Sequence, residues 1–100
     1  MIGPAAGGTT SIAVTVRITG RVQGVWFRGW LSGEARRLGL TGWVRNERDG
    51  SVAALLIGQR AAVAEMLALC RDGPPLARVD RVEATPVTPV PPLTDFRIER

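Results

Sequence analysis

The sequence predicts an α+β sandwich. Two helices cover one face of an antiparallel sheet, in the order βαββαβ with a short strand added at the end. Three observations lead there. Residues 12–19 alternate apolar and polar side chains, the period of a half-buried strand. Two later stretches, about residues 26–38 and the run between Gly58 and Asp72, repeat apolar side chains at helical spacing. Between and after them lie further extended runs, punctuated by glycine and proline turn signals. At 100 residues the chain has the size of one domain, so a single core is expected.

Each element has its own justification. Residues 1–11 are small and rich in Gly and Thr, with little to bury, and read as a flexible tail ahead of a domain over 12–100. Ile12, Val14, Val16 and Ile18 point to one side of the first strand, which stops at Gly20. A loop bounded by glycines follows, Gly20-Arg21-Val22-Gln23-Gly24. Phe27, Leu31, Ala35 and Leu38 then mark a helix. Arg36 and Arg37 suit its C-terminal dipole, and Gly39 ends it. Gly29 and Gly33 sit inside this helix, each costing about 0.5–1 kcal/mol relative to Ala.

Residues 40–47 and 51–57 read as two strands joined by the hairpin signal Arg48-Asp49-Gly50. The second has a blurred alternation. Val52, Ala54 and Leu56 compete with Ala53, Leu55 and Ile57 for the core, and Leu55 and Ile57 are expected as exposed residues on the open face. Gly58 ends that strand. Val63, Met66, Leu67 and Cys70 form the apolar stripe of the second helix, which Asp72-Gly73-Pro74-Pro75 terminates. Residues 77–85 read as a strand, 86–92 as a proline-rich connection, and Phe96 with Ile98 as a short last strand. This is the ferredoxin-like split βαβ arrangement.

Composition removes many mechanisms. All 13 cationic residues are Arg; Lys, His and Tyr are absent. That excludes a Schiff-base or Walker-type lysine, a histidine base and a His-ligated metal. One cysteine excludes an internal disulfide and a Cys-cluster metal site. No metal and no cofactor are expected. The net charge of +4 suits an anionic partner. The arginines are scattered, with Arg36–Arg37 the one adjacent pair, so no nucleic-acid tail is expected. No apolar run approaches the roughly 20 residues of a membrane span, and the start does not read as a secretory signal. A soluble cytoplasmic monomer is expected, without nucleic-acid or membrane partners.

The first strand-to-helix connection is the place for chemistry. Its glycines let backbone amides turn inward as an anion-binding nest, and the helix N-terminus adds partial positive charge. Arg28, in the first helical turn, can reach back with a bidentate fork. The competing reading is an ordinary loop beside a solvated arginine; the anion site is the better of the two. Asn46, the one asparagine, is open on spacing alone between turn chemistry and an amide that holds a water. Gly24 and Gly29 have Walker A spacing, but Trp30 and Leu31 stand where Lys and Ser/Thr belong. Cys70 lacks the Cys-x5-Arg arginine and reads as core. Trp26, Trp30 and Trp43 read as packing residues. A non-catalytic anion-binding or nucleic-acid-binding module on the same scaffold is the alternative.

Gly20-Arg21-Val22-Gln23-Gly24-Val25-Trp26-Phe27-Arg28 resembles the first signature of the acylphosphatases. Gly42-Trp43-Val44-Arg45-Asn46, followed by Asp49-Gly50 and Val52 and closing at Gly58, resembles the second. Leu38-Gly39-Leu40, the 74–82 stretch and Phe96-Arg97-Ile98 are similar too, so the resemblance covers residues 12–100. It implies hydrolysis of small acyl phosphates to a carboxylate and inorganic phosphate, with phosphate as product and competitive inhibitor. By the same resemblance Arg28 binds the phosphate, Asn46 orients the attacking water, and the backbone of Arg21, Val22, Gln23, Gly24 and Val25 forms the phosphate loop.

Overall fold

The first strand runs beyond its alternating pattern at both ends. In the computed structural model of the chain, which describes residues 10–99, it spans Ser11–Arg21 (β1). The expected tail lies outside the described residues except for Thr10 and Ser11, and Ser11 already belongs to β1. Helix α1 follows over Phe27–Arg37, then strands β2 (Thr41–Asn46) and β3 (Val52–Gln59). Helix α2 (Arg60–Asp72), strand β4 (Arg78–Pro86) and strand β5 (Phe96–Ile98) complete the order.

The strands form one sheet in the order β4-β1-β3-β2-β5. Four of them are antiparallel as expected, but β5 pairs parallel to β2, so the sheet is mixed. The reason is chain direction. The segment after β4 crosses to the far side of β2, and β5 enters there along β2 rather than against it. Gly20 and Arg21, expected in the loop, continue β1 through a register shift after Thr19 and pair with Val79 and Arg78. Gly58, expected to end β3, pairs with Ile12 inside the ladder.

The β1–β3 register decides which face is the core. Val14 lies opposite Leu56, Val16 opposite Ala54 and Ile18 opposite Val52. These side chains share one face and bury against Phe27, Leu31 and Ala35 of α1 and Val63, Met66 and Cys70 of α2. A slip of one residue would turn the whole set to the other side. The blurred pattern of β3 resolves as a strand buried on both faces. Leu55 and Ile57, expected to be exposed, are buried with Ala13 on the back of the sheet, where Trp43, Val87 and Leu93 pack on them. Residues of the proline-rich connection thus act as a partial second cover. Cys70 sits fully in the core, and burial pushes its thiol from an ordinary 9.0 up to about 12.

The two glycines inside α1 differ. A Cβ on Gly29 would run into the Trp26 indole, whereas a Cβ on Gly33 would meet nothing within 4 Å. Gly33 therefore keeps the entropic cost of a helix glycine with no contact that requires it. We expect Gly33→Ala to stabilise the fold by roughly 0.5–1 kcal/mol, a rise in Tm of about 2–8 °C in a thermal melt. An unchanged or lower Tm would contradict this account of the helix.

Candidate active site

The site lies where three elements end together. In the sheet, Ile18 of β1 and Asn46 of β2 pair with the same residue, Val52, from opposite sides of β3. The loop leaving β1 therefore runs beside the hairpin that joins β2 to β3. Gln23 fastens the two. Its Nε2 donates to the carbonyl oxygens of Glu47 and Ser51, both at 2.8 Å. The hairpin itself is braced by Asp49, whose Oδ1 accepts from the Ser51 hydroxyl at 2.6 Å and the Ser51 amide at 3.0 Å. Those bonds, the hydroxyl's first, hold the Asp49 carboxyl below its ordinary range, with Arg17 adding to the effect.

Between the loop and the hairpin opens a cavity of about 230 Å³. Val22, Gly24, Trp26, Phe27, Arg28, Gly29, Asn46 and Ile98 line it. The structure thus brings Arg28 and Asn46 together with Val22 and Gly24. The side chains of Arg21, Gln23 and Val25 are not in the lining. Arg21 is an exposed strand residue rather than a loop residue, Gln23 is engaged with the hairpin, and Val25 packs on the core. Gly24 has φ +75°, a value glycine adopts without penalty. Among the described residues, no loop or cap hydrogen bond is donated by the backbone amides of Val22, Gln23, Gly24 or Val25.

Arg28 is tied at one point. Its Nη1 donates to the Glu99 carbonyl at 3.3 Å, which leaves the rest of the guanidinium available. Asn46 Oδ1 is buried and has no hydrogen-bond partner. The C-terminal strand contributes more than its short pattern suggests. Arg36 Nη2 donates to the Phe96 carbonyl at 2.7 Å, and the Glu99 amide donates to the Val44 carbonyl at 2.8 Å. These bonds bring Ile98 to the cavity lining and the Glu99 carbonyl to Arg28.

Of the three tryptophans read as packing residues, one differs. Trp43 packs on the back of the sheet, with the Arg45 guanidinium 4.4 Å from its ring centre. Trp26 is not a packing residue: it is 73 % exposed, in the left-handed region at φ 65°, at the cap of α1. Trp30 does pack, edge-on to Phe27 with centroids 5.3 Å apart. Trp26, Ile98 and Glu99 were missed because only their place in three dimensions marks them.

The fold and the cavity define a small ferredoxin-like domain with a glycine turn, an arginine and an unpartnered asparagine at one end of its sheet. The acylphosphatase family model matches residues 14–98. A curated acylphosphatase of Rhodospirillum rubrum is 61 % identical over 72 residues, covering 72 % of this chain and 79 % of that protein. Among solved structures, an acylphosphatase from Coxiella burnetii has a TM-score of 0.86 at 34 % identity, covering 89 % of this chain and 93 % of that one. The Bacillus subtilis acylphosphatase has a TM-score of 0.87 at 30 % identity, over 89 % and 99 %. The chain belongs to the acylphosphatase family, and its activity is that of an acylphosphatase, a hydrolase.

The Gln23 clamp gives a direct test. Gln23→Ala removes two hydrogen bonds from carbonyls that each keep one backbone donor, the Gly50 amide on Glu47 and the Glu47 amide on Ser51. At about 0.5–1.5 kcal/mol per bond it should destabilise the fold by roughly 1–3 kcal/mol in a urea melt. It should also weaken inhibition by inorganic phosphate, because the loop is released from the hairpin. Wild-type stability together with wild-type phosphate inhibition would show that the clamp does not hold the loop.

Proposed function

We propose that this acylphosphatase cleaves the carboxyl-phosphate anhydride of small acyl phosphates by direct attack of water on phosphorus. In this reading the amides of residues 22–25, which follow Arg21 at the end of β1, and the guanidinium of Arg28 hold the phosphoryl group at the start of α1. Asn46 holds the water. The observation that carries the reading is the buried Asn46 Oδ1 without a partner, on a residue lining the same cavity as Arg28. An unsatisfied buried carbonyl costs about 1–3 kcal/mol, and a bound water supplies the missing donor.

The chemistry asks little else of the protein. The water oxygen bonds to phosphorus as the bond to the acyl oxygen breaks, and the carboxylate leaves with the electron pair. Both water protons end on the phosphate product, so no external base is consumed. A carboxylate is a good leaving group and needs no general acid. Phosphoryl transfer of this kind is promoted by positioning and charge stabilisation. Inorganic phosphate, as product, occupies the same site and competes with substrate.

The same reading takes residues 12–100 as one domain that works as a cytoplasmic monomer without a metal. Among the described residues no group of three or more His, Cys, Asp or Glu could hold a metal ion, and no helix is long and apolar enough to cross a membrane. The nucleic-acid alternative is not favoured, because Arg17, Arg37, Arg45, Arg78, Arg81 and Arg97 each pair with a carboxylate instead of forming a free basic face.

Turnover of acetyl phosphate in excess EDTA tests the proposal. Activity should equal that without chelator; a loss restored by Mg²⁺ would reveal a metal. Arg28→Lys keeps the charge but not the planar fork. It should lose most activity and most phosphate inhibition while its circular dichroism stays native. Asn46→Ala should lose about 10²-fold or more in kcat with phosphate affinity little changed. Equal loss of anion binding and rate in a folded Asn46→Ala would remove Asn46 from the water-holding role.

A further inference from the structure

Among the described residues, four large apolar side chains are exposed: Trp26, Leu76, Val90 and Ile98. Two of them, Trp26 and Ile98, meet at one cavity, the one that holds Arg28 and Asn46. They come from distant parts of the chain, the cap of α1 and the last strand. Packing does not explain Trp26. The residue is 73 % exposed, and its backbone holds a left-handed conformation that bulky residues avoid. The helix also leaves room for the ring: Gly29 is the residue over which the indole lies, and any Cβ there would displace it. A strained backbone at a functional site points to a role in binding.

The cavity lining also combines two chemistries. Gly24, Arg28 and Asn46 supply polar groups, while Trp26 and Ile98, the latter 48 % exposed, supply an apolar rim. A phosphoryl group satisfies the polar groups alone. In an acyl phosphate the carbon side of the anhydride must then lie against whatever else lines the site. We infer that Trp26 and Ile98 form an acyl subsite that selects substrates whose acyl group is aromatic or bulky and apolar over those with a short one. The inference rests on the phosphate placement proposed above. Its physical basis is burial of apolar area and ring-on-ring contact, which a methyl group cannot supply.

The test is a selectivity ratio, kcat/KM for benzoyl phosphate divided by that for acetyl phosphate. Trp26→Asn removes the ring and tolerates the left-handed backbone. It should lower the ratio about tenfold, the scale at which apolar pockets discriminate. Gly29→Ala pushes the indole aside without changing it, and should lower the ratio in the same direction. Trp26→Phe keeps a ring and should hold the ratio within about twofold of wild type. A ratio unchanged in Trp26→Asn, whether both rates fall together or neither does, overturns the subsite. That failure is separate from failure of the phosphate site, which is read from Arg28→Lys with Trp26 intact.

Discussion

One side-chain amide holds the site together. Gln23 Nε2 spans the gap between the carbonyls of Glu47 and Ser51, and so joins the loop after β1 to the hairpin after β2. The sheet order makes this possible. Strand β3 lies between β1 and β2, and Val52 at its start is paired on one side with Ile18 and on the other with Asn46. Register sets the height at which the loop and the hairpin meet; Gln23 closes the distance. Arg28 and Asn46 are far apart in sequence, yet they line one cavity because of these two constraints.

The elements were legible where a single physical rule governed them. Strict alternation in β1 and the spacing of Phe27, Leu31 and Ala35 reflect one buried face each, and those faces are buried. Legibility failed where two rules acted at once. Strand β3 carries apolar residues on both sides because Val87 and Leu93 reach the back of the sheet, an event no local pattern reports. The direction of β5 depends on how the chain crosses after β4, not on Phe96 or Ile98. In the site, Arg28 and Asn46 were visible as side chains suited to an anion and a water. The contributions of Trp26, Ile98 and the Glu99 carbonyl were not, because they come from backbone conformation and tertiary placement.

The composition and the site are consistent at the level of charge. A chain without His or Lys has few groups that change protonation near neutral pH. Its one thiol is withdrawn into the core, where desolvation raises its pKa to about 12. What remains is permanent charge from arginine and permanent dipoles from amides. Six of the arginines are spent on surface pairs that are worth little individually. Arg28 is different in that its partner is a carbonyl oxygen, not a carboxylate, so its charge is not cancelled where the cavity opens.

The start of α1 shows how stability and binding were balanced. It has no side-chain cap and no acidic residue in its first turn. A Ser, Asp or Asn cap typically adds about 1 kcal/mol by satisfying the first amides. Such a cap would also occupy those amides, and an acidic side chain would repel an anion from the helix dipole. An uncapped start is not by itself a site, since α2 begins without a cap or an acidic first turn as well. What sets α1 apart is its surroundings: Gly24 at positive φ, the Arg28 guanidinium and the unpartnered Asn46 oxygen all border the cavity at its start. Trp26, bent into the left-handed region, carries the chain from this loop into the helix, and its carbonyl accepts the Trp30 amide at 3.1 Å. The left-handed turn costs of order 1–3 kcal/mol and the missing cap adds to that cost, so the β1–β3 core must hold the conformation that the loop alone would not adopt.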